Sequence, residues 1–137
     1  MKDRQQPESL RLRAATPSIT VNDIEKSRDW YRDVLGFTVG HEHRVDDELR
    51  AVELKAGTVG ILLGQDDFAK GKDRAKGVGF RIYCTTAQDV DRLAADIQTR
   101  GGELDQPPTD QPWGARDFAI VDPDGFKISI STEGSSA

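Results

Sequence analysis

One arrangement of elements occurs twice along this chain, about 65 residues apart, and that repetition constrains the fold more than any other feature. In the first half, Ser18–Val21 is a short β-prone segment, followed by Asn22 and Asp23 as capping residues, with Asn22 and Glu25 at capping-box spacing. Ile24, Ser27, Trp30, Tyr31, Val34 and Leu35 then recur at spacings of three and four, which predicts a helix closed by Gly36. Strands are predicted at 37–44, 50–55 and 58–63, with turns at Asp46, Asp47 and Glu48 and at Ala56 and Gly57. After a polar connector at 65–76 the order returns. A strand at 78–83 precedes a helix capped at Thr85 and Thr86, with Val90, Leu93, Ala94 and Ile97 as its apolar face and Gly101 and Gly102 at its end. A Pro-rich loop through Pro107, Pro108 and Pro112, a strand at 116–121, the turn Asp122-Pro123-Asp124-Gly125 and a strand at 126–131 complete the second half. Val21 answers Tyr83, Gly36 answers Gly101 and Gly57 answers Gly125, so a β-α-β-β-β module is present twice.

The fold class expected is therefore α+β, with two tandem βαβββ modules, about 14–64 and 77–131, forming a curved mixed sheet in one domain at 14–132. Residues 1–13 and 133–137 read as a flexible extension and a flexible tail. A chain of 137 residues has room for one ordinary core, which excludes a multi-domain enzyme. Each module would cover one face of its sheet with its helix and leave the other open, so two such faces make a cup, and function is expected there.

Charge narrows the partners. With 19 Lys and Arg against 24 Asp and Glu the net charge is −5, which disfavours nucleic acid and anionic membranes and favours cationic partners. No apolar run approaches a membrane span, and the first residues lack a signal-peptide core, so a cytoplasmic location is expected. The single cysteine, Cys84, cannot form an internal disulfide and lies in an apolar stretch, where a small buried hydrophobe is the plain reading. Only His41 and His43 carry imidazole. On a strand they would share one face and could chelate, but the run His41-Glu42-His43-Arg44 beside Asp46, Asp47 and Glu48 equally describes a solvated edge. Nucleophile elbows and phosphate-binding glycine loops are absent, and Gly77-Val78-Gly79 lacks the following helix that dinucleotide binding requires.

The chain resembles the vicinal oxygen chelate superfamily, the group of glyoxalases, bleomycin-resistance proteins and extradiol dioxygenases. The residues that carry the resemblance are Val21-Asn22-Asp23 before Ser27, Trp30-Tyr31 followed by Leu35-Gly36-Phe37, and Asp122-Pro123-Asp124-Gly125 leading into Lys127-Ile128. The resemblance implies four inward-facing metal ligands in the metalloenzymes, His or Glu, and places those positions on Thr16, Leu62 (to within a residue or two), Gly77 and Ser129. Such residues supply neither imidazole nor carboxylate, so no metal and no cofactor is expected. Gln111-Pro112-Trp113-Gly114 followed by Arg116, Asp117 and Phe118 is similar to the bleomycin-resistance branch, which implies a metal-free homodimer that sequesters a small aromatic or cationic molecule. Trp113, Arg116 and Phe118, with Asp66 and Phe68 from the connector, are the expected ligand-binding residues. A Trp on a Pro-stiffened loop offers a rigid stacking surface, or packs over the end of the core. The alternatives are an enzyme of the same superfamily, metal-free or with a metal held by His41, His43, Glu42 or Glu53, and an accessory subunit that binds a partner protein through open sheet edges.

Overall fold

A computed structural model describes residues 9–133. Residues 1–8 of the expected extension and 134–137 of the expected tail lie outside the described residues. The elements run β1 (Ser18–Val21), α1 (Ile24–Trp30), a π-helical turn (Tyr31–Leu35), β2 (Thr38–Val45), β3 (Glu48–Ala56), β4 (Val59–Gln65), β5 (Arg81–Thr86), α2 (Val90–Thr99), β6 (Leu104–Asp110), β7 (Arg116–Val121) and β8 (Lys127–Thr132). Two four-stranded sheets result, ordered β1-β4-β3-β2 and β5-β8-β7-β6, with β1 parallel to β4 and β5 parallel to β8. The module read from the sequence is present twice with one topology.

Four local outcomes differ from the sequence reading. Asp23, not Asn22, caps α1, its carboxylate accepting from the Lys26 N–H. Asp89 caps α2 because Thr85 and Thr86 are still paired in β5 with Ser131 and Thr132 of β8. β5 begins at Arg81 rather than 78, since Gly77 and Gly79 take left-handed backbone and a turn closes with the Phe80 N–H donating to the Gly77 carbonyl. The stretch holding Pro107 and Pro108 is a strand, β6, not a loop. It lies at a sheet edge and its register with β7 is interrupted, the place where a residue without an N–H is tolerated.

Alternation along the strands separates two faces of each sheet. Ile19, Val21, Val52, Leu54, Ile61 and Leu63 of the first sheet, and Ile82, Phe118, Ile120 and Ile128 of the second, are buried on the helix-covered side and form one core with Ile24, Tyr31, Val90, Ala94 and Ile97. That core is shared by both modules. They are clasped by the very residues that carried the resemblance. Tyr31, fully buried, donates its hydroxyl to Asp122 at 2.8 Å, and the Ser27 hydroxyl and the Asn22 N–H donate to Asp124. Asp122 also accepts from the Asp124 and Phe126 N–H groups, which shapes the β7–β8 turn. From the other side Arg100 donates to the carbonyls of Val34 and Leu35. The helix-covered faces thus share one interior, and the other face of each sheet points outward. Among the described residues no ladder joins the two sheets.

Candidate functional site

The outward face of the first sheet is shallow. Thr20, Gly64, Ala51 and His43 lie in one row across β1, β4, β3 and β2, and Ser18, Leu62 and Glu53 in the next. Small side chains here leave space above the sheet, with Leu62 exposed among them. Glu53 leans along the row until its Oε1 lies 2.8 Å from where a Cβ on Gly40 would be, so Gly40 keeps that approach open.

The outward face of the second sheet is polar and more crowded. Tyr83, Ser129, Ala119 and Gln106 form one row, and Thr85, Ser131, Asp117 and Thr109 the next. Asp117, Ser129 and Ser131 are buried. Gln106 and Gln111 donate their amides to Asp117 Oδ1 at 2.9 and 2.8 Å, and Tyr83 donates its hydroxyl to Oδ2 at 3.4 Å. Arg81 donates to the Ser129 hydroxyl. Two residues beyond Gln111 the chain turns through Trp113, whose turn closes with the Gly114 N–H donating to the Gln111 carbonyl. Trp113 is 62% exposed. Gln111 therefore ties the Trp113 turn to the outward face through Asp117.

The structure separates the other residues singled out from the sequence. Phe118 is fully buried in the shared core and cannot meet a ligand on the outward face, because it points to the side opposite Asp117. Arg116 donates to Asp91 of α2 and to Asp110 of β6, fastening the start of the helix to the sheet. Those carboxylates hold its guanidinium above the ordinary arginine range, and Arg116 in return holds Asp91 below the ordinary aspartate range. Asp66 is buried against Lys76, whose ammonium sits 2.8 Å away and also donates to the Asn22 amide oxygen; Arg74 adds a longer contact. The Lys76 hydrogen bond and the Phe68 N–H hold the Asp66 carboxyl below its usual range. Phe68, with left-handed backbone, has the Lys72 ammonium 5.9 Å from its ring centroid. Asp66 thus anchors the connector to the first module and is not available to a ligand. Sequence reading did not assign Arg81, Tyr83, Gln106 or Asp117 to the site, although Asp117 stands within the segment that carries Trp113. The signal was strand parity: Arg81 and Tyr83 alternate with the core residues Ile82 and Cys84, and Asp117 alternates with Phe118.

The four positions that the resemblance assigns to metal ligands do not fit a metal. Thr16 has its methyl beside Gly60, Leu62 is apolar, and the Ser129 hydroxyl is engaged by Arg81. Gly77 leaves no room for any side chain: its φ is +72° and a Cβ would stand 2.4 Å from the Gly125 carbonyl oxygen. Of the substitutes, Glu42 is paired with Arg28 and Arg44, and His41 and His43 are exposed on the edge strand β2. Among the described residues no three His, Cys, Asp or Glu side chains come together as a ligand set. Cys84 is half-buried, and burial pushes its thiol up, away from the thiolate form that nucleophilic chemistry needs.

Among the described residues, concavities flank the sheets. One, of about 560 Å³, lies at the seam of the modules on the helix-covered side, between Leu35 and Phe37 of the first and Leu93, Ile97 and Ile130 of the second. Another, of about 480 Å³, opens at the start of β5, lined by residues 76–81, Gly125 and Lys127.

Comparison with known proteins agrees with this architecture. The family model described as Glyoxalase/Bleomycin resistance protein/Dioxygenase superfamily matches residues 13–130, and the chain belongs to that family. A bleomycin resistance protein of Geobacillus stearothermophilus is 30% identical over 123 residues, covering 83% of this chain and 92% of the relative. A crystal structure of a superfamily member from Sphaerobacter thermophilus superposes with a TM-score of 0.71 at 27% identity, over 89% of this chain and 98% of that one. TnmS3, an antibiotic binding protein from Streptomyces sp. CB03234, shares the fold with a TM-score of 0.69 at 24% identity, over 92% of this chain and 98% of its own. Among the described residues no helix is long and apolar enough to cross a membrane.

Proposed function

We propose that this protein is a metal-free, homodimeric binding protein that sequesters a small aromatic molecule, an antibiotic being the class its relatives suggest, in cups built across the dimer interface. The observation that carries this reading is Trp113, 62% exposed on a turn that Gln111 and Asp117 tie to the outward face of the second sheet. A rigid indole held at the rim of a polar face is a stacking platform at low entropic cost. Cup formation needs a second chain in this reading, because the two outward faces of one chain point away from a shared core. The net charge of −5 favours cationic partners at long range, yet Asp117 and Asp66 are already engaged, so aromatic stacking on Trp113 is the half of the expectation carried forward.

Fluorescence titration with bleomycin and with flat aromatic dyes tests the reading. Binding is expected to change the Trp113 emission, and Trp113→Ala is expected to weaken binding roughly ten- to hundredfold, as loss of an aromatic anchor does. Its melting temperature should stay near that of the parent, since the indole is mostly in water. Undiminished affinity in Trp113→Ala, or no binding of any aromatic compound, overturns the assignment.

A further inference from the structure

We infer that the cup carries an anion subsite at the start of β5, made by Arg81 and Lys127, and that its ligands bear a carboxylate or phosphate group. This rests on the cup reading and adds a ligand chemistry to it. Arg81 and Lys127 are register partners on the adjacent parallel strands β5 and β8, so their side chains leave the same outward face side by side. Neither has a carboxylate within ion-pair distance among the described residues. The guanidinium is instead directed along the sheet to the Ser129 hydroxyl, a neutral acceptor that fixes its orientation without neutralising it. Two adjacent cations with no counter-charge, in a chain of net charge −5, repel one another unless an anion sits between them.

The surroundings suit such a group. Both cations line the 480 Å³ concavity, together with Gly77, Gly79 and Gly125 and the exposed apolar side chains of Val78 and Phe80. Glycines at the wall let a ligand approach the backbone closely, and the apolar rim receives a ring attached to the anionic group. Lys76, the third cation of the wall, is occupied by Asp66 and Asn22 and contributes shape instead of free charge. A guanidinium thus stands beside Ser129, the position where metalloenzymes of this superfamily are expected to hold a metal ligand. A planar fork of donors there recognises carboxylate or phosphate oxygens directly.

The experiment compares 2-naphthoate, 2-naphthyl phosphate and the uncharged 2-naphthamide by calorimetry on the parent protein, Arg81→Gln and Lys127→Gln. The parent is expected to bind one or both anions at least about tenfold more tightly than the amide, the scale of a charge-assisted hydrogen bond, and the preference should shrink with added salt. The two anions compared with each other show whether the subsite prefers carboxylate or phosphate. Arg81→Gln should abolish the preference, Arg81→Lys should restore part of it, and Lys127→Gln should reduce it. Equal binding of anions and amide by the parent, or a preference that survives Arg81→Gln, overturns the subsite but leaves the cup reading standing. Failure to bind any of the three overturns the subsite, and the bleomycin titration then judges the cup separately.

Discussion

At the scale of single residues, most of the conspicuous sequence words proved to be structural, Trp113 excepted, while the candidate site also draws on residues that look ordinary. Tyr31, Ser27, Asn22, Asp122 and Asp124 clasp the modules; Arg116 and Phe118, adjacent to the Trp-containing segment, brace a helix and fill the core. Composition gives no hint of this, because an arginine and a phenylalanine beside a tryptophan look alike whether they face a ligand or a core. The Tyr31–Asp122 pair allows a sharp test. Burial, opposed by hydrogen bonds from Tyr31 and two backbone N–H groups, raises the Asp122 pKa above the usual aspartate range. Tyr31→Phe removes one donor from a buried carboxylate, which should cost about 1 to 3 kcal/mol at neutral pH. An acid whose pKa is higher in the folded than in the unfolded state loses stability as pH rises through that interval and regains it on acidification. The cost of Tyr31→Phe should therefore shrink as pH falls and Asp122 takes up a proton. Denaturant titrations of parent and variant at neutral and mildly acidic pH check this, and a cost independent of pH would show that Asp122 does not carry it.

At the scale of elements, existence and order were legible, whereas boundaries and facing required tertiary information. Helix faces could be read because period and caps are local, but the delayed start of β5 depends on Gly77 meeting the β7–β8 turn, a contact across nearly the whole module. β6 was hidden by its prolines, since only its edge position makes them acceptable. The Gly77 contact also explains why an imidazole at that position is incompatible with this backbone. Gly77→Ala must place a Cβ both at positive φ and against the Gly125 carbonyl, and neither neighbour is the movable end of a side chain. A loss of at least about 2 kcal/mol is expected, beyond the roughly 1 kcal/mol for left-handed backbone alone. Gly71→Ala is the control: it also has positive φ, but no atom stands within 4 Å of its Cβ, so it should cost only the backbone part. Equal losses in the two variants would mean that the close approach to Gly125 is relieved without cost.

At the scale of the whole molecule, duplication decides how the protein presents its chemistry. Two modules that share a core through their helix-covered sides leave two sheets facing outward, and among the described residues each has two unpaired edges, β1 and β2 in one and β5 and β6 in the other. The outward residues include Leu62 and Tyr83, and Phe80, Val78 and Trp113 add apolar surface at the margins of the second sheet. Repetition in the sequence announced the two modules, but it is silent on whether they close a cup within one chain, because that depends on which faces the clasp turns inward. A second copy related by a two-fold axis would set the first sheet of each chain opposite the second sheet of its partner, covering the edges and forming two equivalent cups. The protein is accordingly expected to sediment at twice the mass of one chain at micromolar concentration, and its melting temperature should rise with protein concentration, because dimerisation stabilises only the folded chain. A charge placed in the facing surfaces separates this arrangement from a dimer formed elsewhere. Leu62→Glu lies on the outward face of the first sheet, outside the shared core, so the single chain should still fold while the dimer weakens and ligand binding falls with it. A Leu62→Glu protein that remains a dimer of full binding capacity would place the interface on another surface and confine each cup to one chain.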